Sequence, residues 1–228
     1  MYEKVSNVLA CGFLHTDRSK LPKLRFDLDS YNVVIHLRVG DMVLHGANAF
    51  SNPFLQRDPA LHGHNASGFA YYTTMKRELD QVLSEFDRIL YIFIDEEPEA
   101  GEAGPPQELA FLSQIFRSED EGGRSVCVSY LNDLDPRESL YHMMNGDMLI
   151  SPGSSFPAIA ATLSPKPVVL LSKPYVGRTF PASQDRPDYA HLENDGSIVR
   201  PSIVELKARV AIRYMEVHDK LVPYGDAL

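Results

Sequence analysis

Five short apolar runs punctuate the chain, at Val33–Leu37, Ile89–Ile94, Val126–Tyr130, Met148–Ile150 and Pro167–Leu171. They are rich in β-branched residues and nearly continuous in apolar character. A strand with one wet face alternates polar and apolar residues, whereas a continuous run belongs to a strand buried on both faces of a parallel sheet. Parallel strands in turn need crossover connections long enough to hold a helix.

The connections carry the matching signal. Phe69–Phe86 places Met75, Leu79, Val82, Leu83 and Phe86 at helical spacing. Gln107–Phe116 does the same with Leu109, Phe111, Leu112 and Ile115, and Pro136–Asn145 with Leu140, Met143 and Met144. Asp135 is placed to cap that third segment, with Pro136 at its first helical position. Ser155–Leu163 is small and apolar, with Ser154 or Ser155 as its cap. A last helix is expected over about 202–221. Strand alternating with helix predicts an α/β fold: a Rossmann-like, doubly wound, mainly parallel sheet of about five or six strands with flanking helices. Two long stretches interrupt the rhythm. The Gly-, Asn- and His-rich 45–67 is read as functional, and the acidic 96–106 as a solvated excursion.

Composition narrows the partners. Twenty-two basic and 31 acidic residues give a net charge of −9, and 44% of residues are hydrophobic. A chain this acidic gains nothing from counterion release, so nucleic acid is not an expected partner, and any bound phosphate must be held by a local site. No stretch approaches the roughly 18 apolar residues of a membrane-crossing helix. The first residues lack the pattern of a secretion signal, which predicts a cytoplasmic chain, and Asn65-Ala66-Ser67 is then a glycosylation pattern by chance. Cys11 and Cys127 follow no metal-ligand spacing and are read as reduced thiols rather than as a disulfide.

In open α/β sheets, ligands bind beyond the carboxyl ends of the strands. There the chain places His36-Leu37-Arg38-Val39-Gly40-Asp41, then Asp95-Glu96-Glu97, then Ser151-Pro152-Gly153-Ser154-Ser155-Phe156. The last group is a turn leading into a helix, whose free N–H groups and dipole suit an anion. Arg38 just past a buried strand is suited to bidentate phosphate contacts. Each feature has a plainer reading, as a helix cap and as an ion pair with Asp41; together they favour a phosphate ligand. Neither G-x-x-x-x-G-K-[ST] nor G-x-G-x-x-G occurs, which argues against an NTPase or a dinucleotide-dependent oxidoreductase.

The segment His36–Asp41 resembles the HxRxxD-type motif of the α1,2-, α1,6- and protein O-fucosyltransferases, GDP-fucose enzymes with a GT-B scaffold. Tyr91–Asp95 is similar to their intervening strand, and Leu140–Ile150 followed by Ser154-Ser155-Phe156 to their second block, in the same order over residues 31–172. The resemblance implies a glycosyltransferase that moves L-fucose or another 6-deoxyhexose from a GDP-sugar to a glycan or protein acceptor, with inversion and without a metal or other cofactor. It implies that Arg38 holds the β-phosphate with His36 beside it, and that Ser154, Ser155 and Phe156 line the nucleotide. Glu138 would read guanine, Asp95 would lie nearby, and His45 would be the base that deprotonates the acceptor, with Asp58, His62 and His64 as other candidates. Glu138 and Asp95 also have plainer readings, as a solvent-facing helix residue and as a cap.

Departures are equally informative. Val39 stands where several members have a second Arg, and the chain has no Trp. Two alternatives therefore stand beside the first reading: a non-catalytic GDP- or sugar-binding module of the same fold, and a transferase using another nucleotide sugar, such as a rhamnose donor. Only about 30 residues precede the first motif, so 1–228 is read as a single nucleotide-sugar-binding domain, like the C-terminal half of a GT-B enzyme. The N-terminal half would then be supplied in cis or by a partner subunit.

Overall fold

The computed structural model describes residues 22–37, 68–95, 107–117, 123–131, 134–151, 155–164, 167–172, 189–193 and 195–218. The strands are β1 (Tyr31–Leu37), β2 (Arg88–Asp95), β3 (Ser125–Leu131), β4 (Met148–Ser151), β5 (Val168–Ser172), β6 (Tyr189–Leu192) and β7 (Ile198–Arg200). The helices are α1 (Gly68–Val82), α2 (Gln107–Phe116), α3 (Pro136–Asn145), α4 (Ser155–Leu163) and α5 (Ile203–His218). The strands form one sheet in the order β3-β2-β1-β4-β5-β6-β7. All neighbours are parallel except the antiparallel pair β6 and β7.

This is the doubly wound α/β fold expected, with seven strands rather than five or six. The additional pair is short, four and three residues. Its hairpin turns at Asp195-Gly196, where Gly196 has φ 87° and its α-carbon leaves no room for a side chain against the Tyr71 carbonyl oxygen, 2.2 Å from an added Cβ. The first helix ends at Val82 rather than reaching Phe86. Phe86 follows a turn instead and lies against Tyr31, with ring centroids 4.3 Å apart, and against Tyr214 at 5.0 Å. The last helix spans 203–218, inside the expected range.

Two cores sandwich the sheet. Val33, Ile35 and Leu37 of β1 face α1, α2 and α5 through Met75, Leu79, Phe116 and Val210. Val34, from the alternate position, faces α3 and α4 through Met143, Met144, Ala158 and Ala161. Every residue of β1 is buried. The alanines of α4 let that helix approach the sheet closely, and at Gly146 the approach is tighter still. A Cβ there would stand 2.8 Å from Val34 Cγ2 and 3.1 Å from the Met148 carbonyl.

At the amino edge, β1 and β4 are tied by side chains. The Asp147 carboxylate accepts the Asn32 backbone N–H at 2.8 Å and its side-chain amide at 3.2 Å. Asn32 also donates to the carbonyls of Asp27 and Ser30. Tyr31 is fully buried beside this knot and donates its hydroxyl to the Asp147 carbonyl at 3.3 Å. Burial, reinforced by the Asp147 charge, pushes the Tyr31 phenol well above its ordinary value. Among the described residues no helix is long and apolar enough to cross a membrane.

Two outcomes follow. Gly146→Ala overpacks the α3–β1 contact and is expected to cost about 1–3 kcal/mol, read as a lower midpoint in urea unfolding. Tyr31 must stay neutral in the folded chain, so its contribution is complete below the unfolded phenol pKa, about 10, and is lost as pH rises beyond it. Tyr31→Phe should therefore flatten the fall in thermal midpoint between about pH 10 and 12.

Candidate functional site

The strand order reverses its direction of growth between β1 and β4. From β1 the chain first builds outward through β2 to β3, then crosses back through α3 to lay β4 on the other side. The connections leaving the carboxyl ends of β1 and β4 therefore diverge to opposite faces, which opens a crevice there. The register sets what lines it: Ile35 pairs with Ile150, and Leu37 with Asp95.

His36 is the residue before the last of β1, next to this crevice, and it is 1% exposed. Its side chain falls on the α3 and α4 face, by alternation with Val34. There its ring meets that of Phe156 edge-on, with centroids 5.9 Å apart and planes at 67°. Phe156 is in the first turn of α4 and packs on the core beneath that helix. Ser151, also 1% exposed, ends β4. A buried imidazole thus lies against the first turn of α4, with the last residue of β4 buried on the neighbouring strand, at the carboxyl end of the strands where the order reverses. Phe156 is followed by Pro157, which fits a first helical turn because no N–H is needed there. Pro157 consequently offers no N–H, and the donors at the start of α4 are those of its other early residues.

The remaining expected site residues divide into three groups. Arg38, His45 and Ser154 lie outside the described residues, as do Asp41, Asp58, His62 and His64. Asp95 closes β2 and Ser155 opens α4, both at the carboxyl edge, as strand and helix positions. Glu138 stands in the first turn of α3, at the same edge, and its carboxylate accepts the Asp135 N–H at 3.2 Å. In return, Asp135 accepts the Glu138 N–H at 2.8 Å, completing a capping box.

One residue of this region escaped the sequence reading. His142 is wholly buried within α3. Its Nε2 accepts the Arg25 backbone N–H at 3.1 Å, which assigns the ring proton to Nδ1, donating to the Glu138 carbonyl at 2.8 Å. Phe26 packs edge-on against the same ring, 5.6 Å between centroids. His142 thereby fastens the segment before β1 to the helix that carries Glu138. A histidine four residues after Glu138 on an amphipathic helix was the available signal, and its buried face could have been read from Met143 and Met144. Among the described residues no three His, Cys, Asp or Glu side chains are grouped to hold a metal ion.

Neither a protein-family model nor a curated protein matches the chain by sequence. Among solved structures, it is similar to a UDP-forming α,α-trehalose-phosphate synthase from Burkholderia xenovorans at 11% identity, covering 96% of this chain and 47% of that one, with a TM-score of 0.48. It is similar also to an OtsA apo structure at 11% identity, with 92% and 44% covered and a TM-score of 0.46. A third likeness, at 12% identity, is to a trehalose-6-phosphate protein from E. coli bound with UDP-2-fluoro glucose, with 84% and 41% covered and a TM-score of 0.41. The chain spans less than half the length of each. Likenesses this distant carry no argument about activity, and the fold class rests on the strand order itself.

The capping box yields its own expected outcome. Glu138→Ala removes one arm of the box and should lower stability by about 0.5–1 kcal/mol, whatever Glu138 does toward a ligand. Urea unfolding measures that cost, and a shift of several kcal/mol would show that Glu138 has a structural role beyond the cap.

Proposed function

We propose that the chain is the donor-binding half of a glycosyltransferase that takes its sugar from a nucleoside diphosphate, with GDP-fucose or another GDP-6-deoxyhexose as donor. The observation that supports the reading lies at the reversal of strand order: His36, next to the last residue of β1, has its ring against Phe156 in the first turn of α4. Arg38 then follows directly on a strand whose position is set on both sides, and the start of α4 supplies oriented N–H groups. Together they would hold the diphosphate and stabilise the negative charge that grows on it as the sugar departs.

In this reading His36 lines the phosphate pocket, with Phe156 holding its ring, and Asp95, Ser154 and Ser155 complete the donor site. His45 deprotonates the acceptor hydroxyl for an inverting transfer, with no metal or further cofactor. The acceptor is a glycan or a protein. A second Rossmann-like domain, in cis or on a partner subunit, provides the opposite wall.

A UDP-sugar donor is the second reading, and the capping box favours it. The Glu138 carboxylate already accepts the Asp135 N–H, which leaves less of it for the two donors of a guanine edge.

Calorimetry with GDP tests the proposal. The 228-residue chain should bind GDP, and Arg38→Ala should abolish measurable binding while leaving the unfolding midpoint in place. An intact, folded chain without affinity for GDP or UDP would sink it. Thermal shifts with GDP, UDP and dTDP rank the donors, and a preference for UDP removes guanine reading by Glu138. A donor-hydrolysis assay separates a transferase from a binding module, since the module would retain the nucleotide sugar intact.

A further inference from the structure

The sheet has two edges, and they are built in opposite ways. An open strand edge invites pairing with another chain, and natural proteins blunt it with short strands, charges, prolines, bulges or coverings. The β7 edge has all of these. It is three residues long, its pairing with β6 is irregular at His191 and Leu192, and it ends in Arg200-Pro201. The outward N–H of Ile198 is taken by the Glu78 carboxylate of α1.

The β3 strand itself has neither the shortness, the charge, the proline nor the bulge. It is seven residues long, Ser125–Leu131, without a charge, a proline or a glycine. Its inner side is spent on β2, where Ser125 donates its N–H to the Asp87 carbonyl at 2.8 Å. In a parallel ladder successive residues turn their backbone groups to opposite sides. Ser125, Cys127 and Ser129 therefore bond to β2, and Val126 and Val128 turn their N–H and C=O groups to the open side. Among the described residues no strand stands there.

The sequence of that edge is palindromic: Ser125-Val126-Cys127-Val128-Ser129. A two-fold axis through Cys127 lays β3 antiparallel to its own copy so that each of residues 125–129 stands opposite one of its kind, with Tyr130 and Leu131 opposite Arg124 and Gly123. Val126 and Val128 of the second copy exchange both N–H···O bonds, as outward-facing residues of an antiparallel pair must. Ser125 faces Ser129 of the second copy. Cys127 faces itself as a non-hydrogen-bonded pair, with Cα atoms about 4.5 Å apart, inside the range of roughly 4.4–6.8 Å that a disulfide spans. Both Ser125 and Cys127 are exposed, on the sheet face where alternation from Leu131 sets them.

We propose that β3 is a self-association edge at which two copies of the chain pair antiparallel about Cys127, joining their sheets into one. The occupant is a second copy because the palindrome gives a two-fold pairing that matches like with like at all five positions from Ser125 to Ser129. A single strand edge is a small contact, at the low end of specific interfaces, below about 1,200 Å² in total, where complexes are weak and reversible. The net charge of −9 on each copy opposes association, while β3 itself is uncharged. Salt should therefore strengthen the dimer by screening the repulsion.

Sedimentation of the full chain over a wide concentration range should show a reversible monomer–dimer equilibrium that shifts toward dimer as salt is raised. In a Cys11→Ser background, diamide should link two chains covalently: two Cys127 thiols form one S–S bond, and diamide takes up the two electrons and two protons. Cys127→Ser should abolish the link. Register is tested in chains with both native cysteines replaced by Ser. S125C mixed with S129C should cross-link about tenfold faster than either variant alone, because pairing raises the local thiol concentration. Equal rates for the mixture and the single variants, or a monomer at every concentration without cross-linking, would overturn the proposal.

Discussion

Everything in this fold is referred to β1. The strand is buried along its whole length, flanked by β2 and β4, and covered by helices on both faces. Such a strand cannot tolerate a slip in register, because a shift by one residue would exchange the residues of its two cores. The Asn32–Asp147 knot fixes its amino end against β4, and the parallel ladders carry that register along. His36 lies about 13 Å further on, at the opening of the crevice. A polar lock at one pole of the sheet therefore sets the position of the candidate site at the other. The buried amide and carboxylate of the lock are hydrogen-bonded to each other and to backbone, which is the condition under which buried polar groups specify a structure instead of weakening it.

The parts of the fold that were legible in the sequence are those with a strong periodic signal. The five apolar runs are strands, and three of the helices, 107–116, 136–145 and 155–163, have the bounds their pattern and caps predict. Asp135 and Pro136 announced α3 because capping chemistry is local. The strands β6 and β7 were not legible, since Tyr-Ala-His-Leu and Ile-Val-Arg are too short to show a period. Their pairing depends on a turn at Gly196 that packs on α1, a contact far away in sequence. Phe86 misled for a similar reason: it keeps helical spacing with Val82, yet its place is decided by the rings of Tyr31 and Tyr214.

The candidate site was legible to a different degree. Strand ends could be identified, and the rule that ligands sit beyond carboxyl ends at a reversal of strand order then selects β1 and β4. Which reversal applies depends on strand order, which no local pattern encodes. Glu138 shows the limit of reading residue types. A carboxylate in the first turn of a helix is equally suited to a ligand and to the helix's own N–H groups, and the second use is the one the structure displays. His142 shows the converse. An imidazole looks chemical in a sequence, but here both ring nitrogens are bound to backbone, and its work is to seat Arg25 and Phe26 on α3.

The electrostatics of the proposed donor site depend on how short the range of its donors is. A net charge of −9 repels a diphosphate at long range, while salt near physiological strength screens exposed charges beyond about 8 Å. Within that distance the balance in the proposed site belongs to local groups: Arg38, and the N–H groups at the start of α4, to which Pro157 contributes none. Added salt would weaken the attraction to Arg38 and also the repulsion from the rest of the surface. The two changes oppose each other. A diphosphate held in this way would lose less affinity with rising salt than one bound to a basic surface, whose repeated phosphate contacts all weaken together.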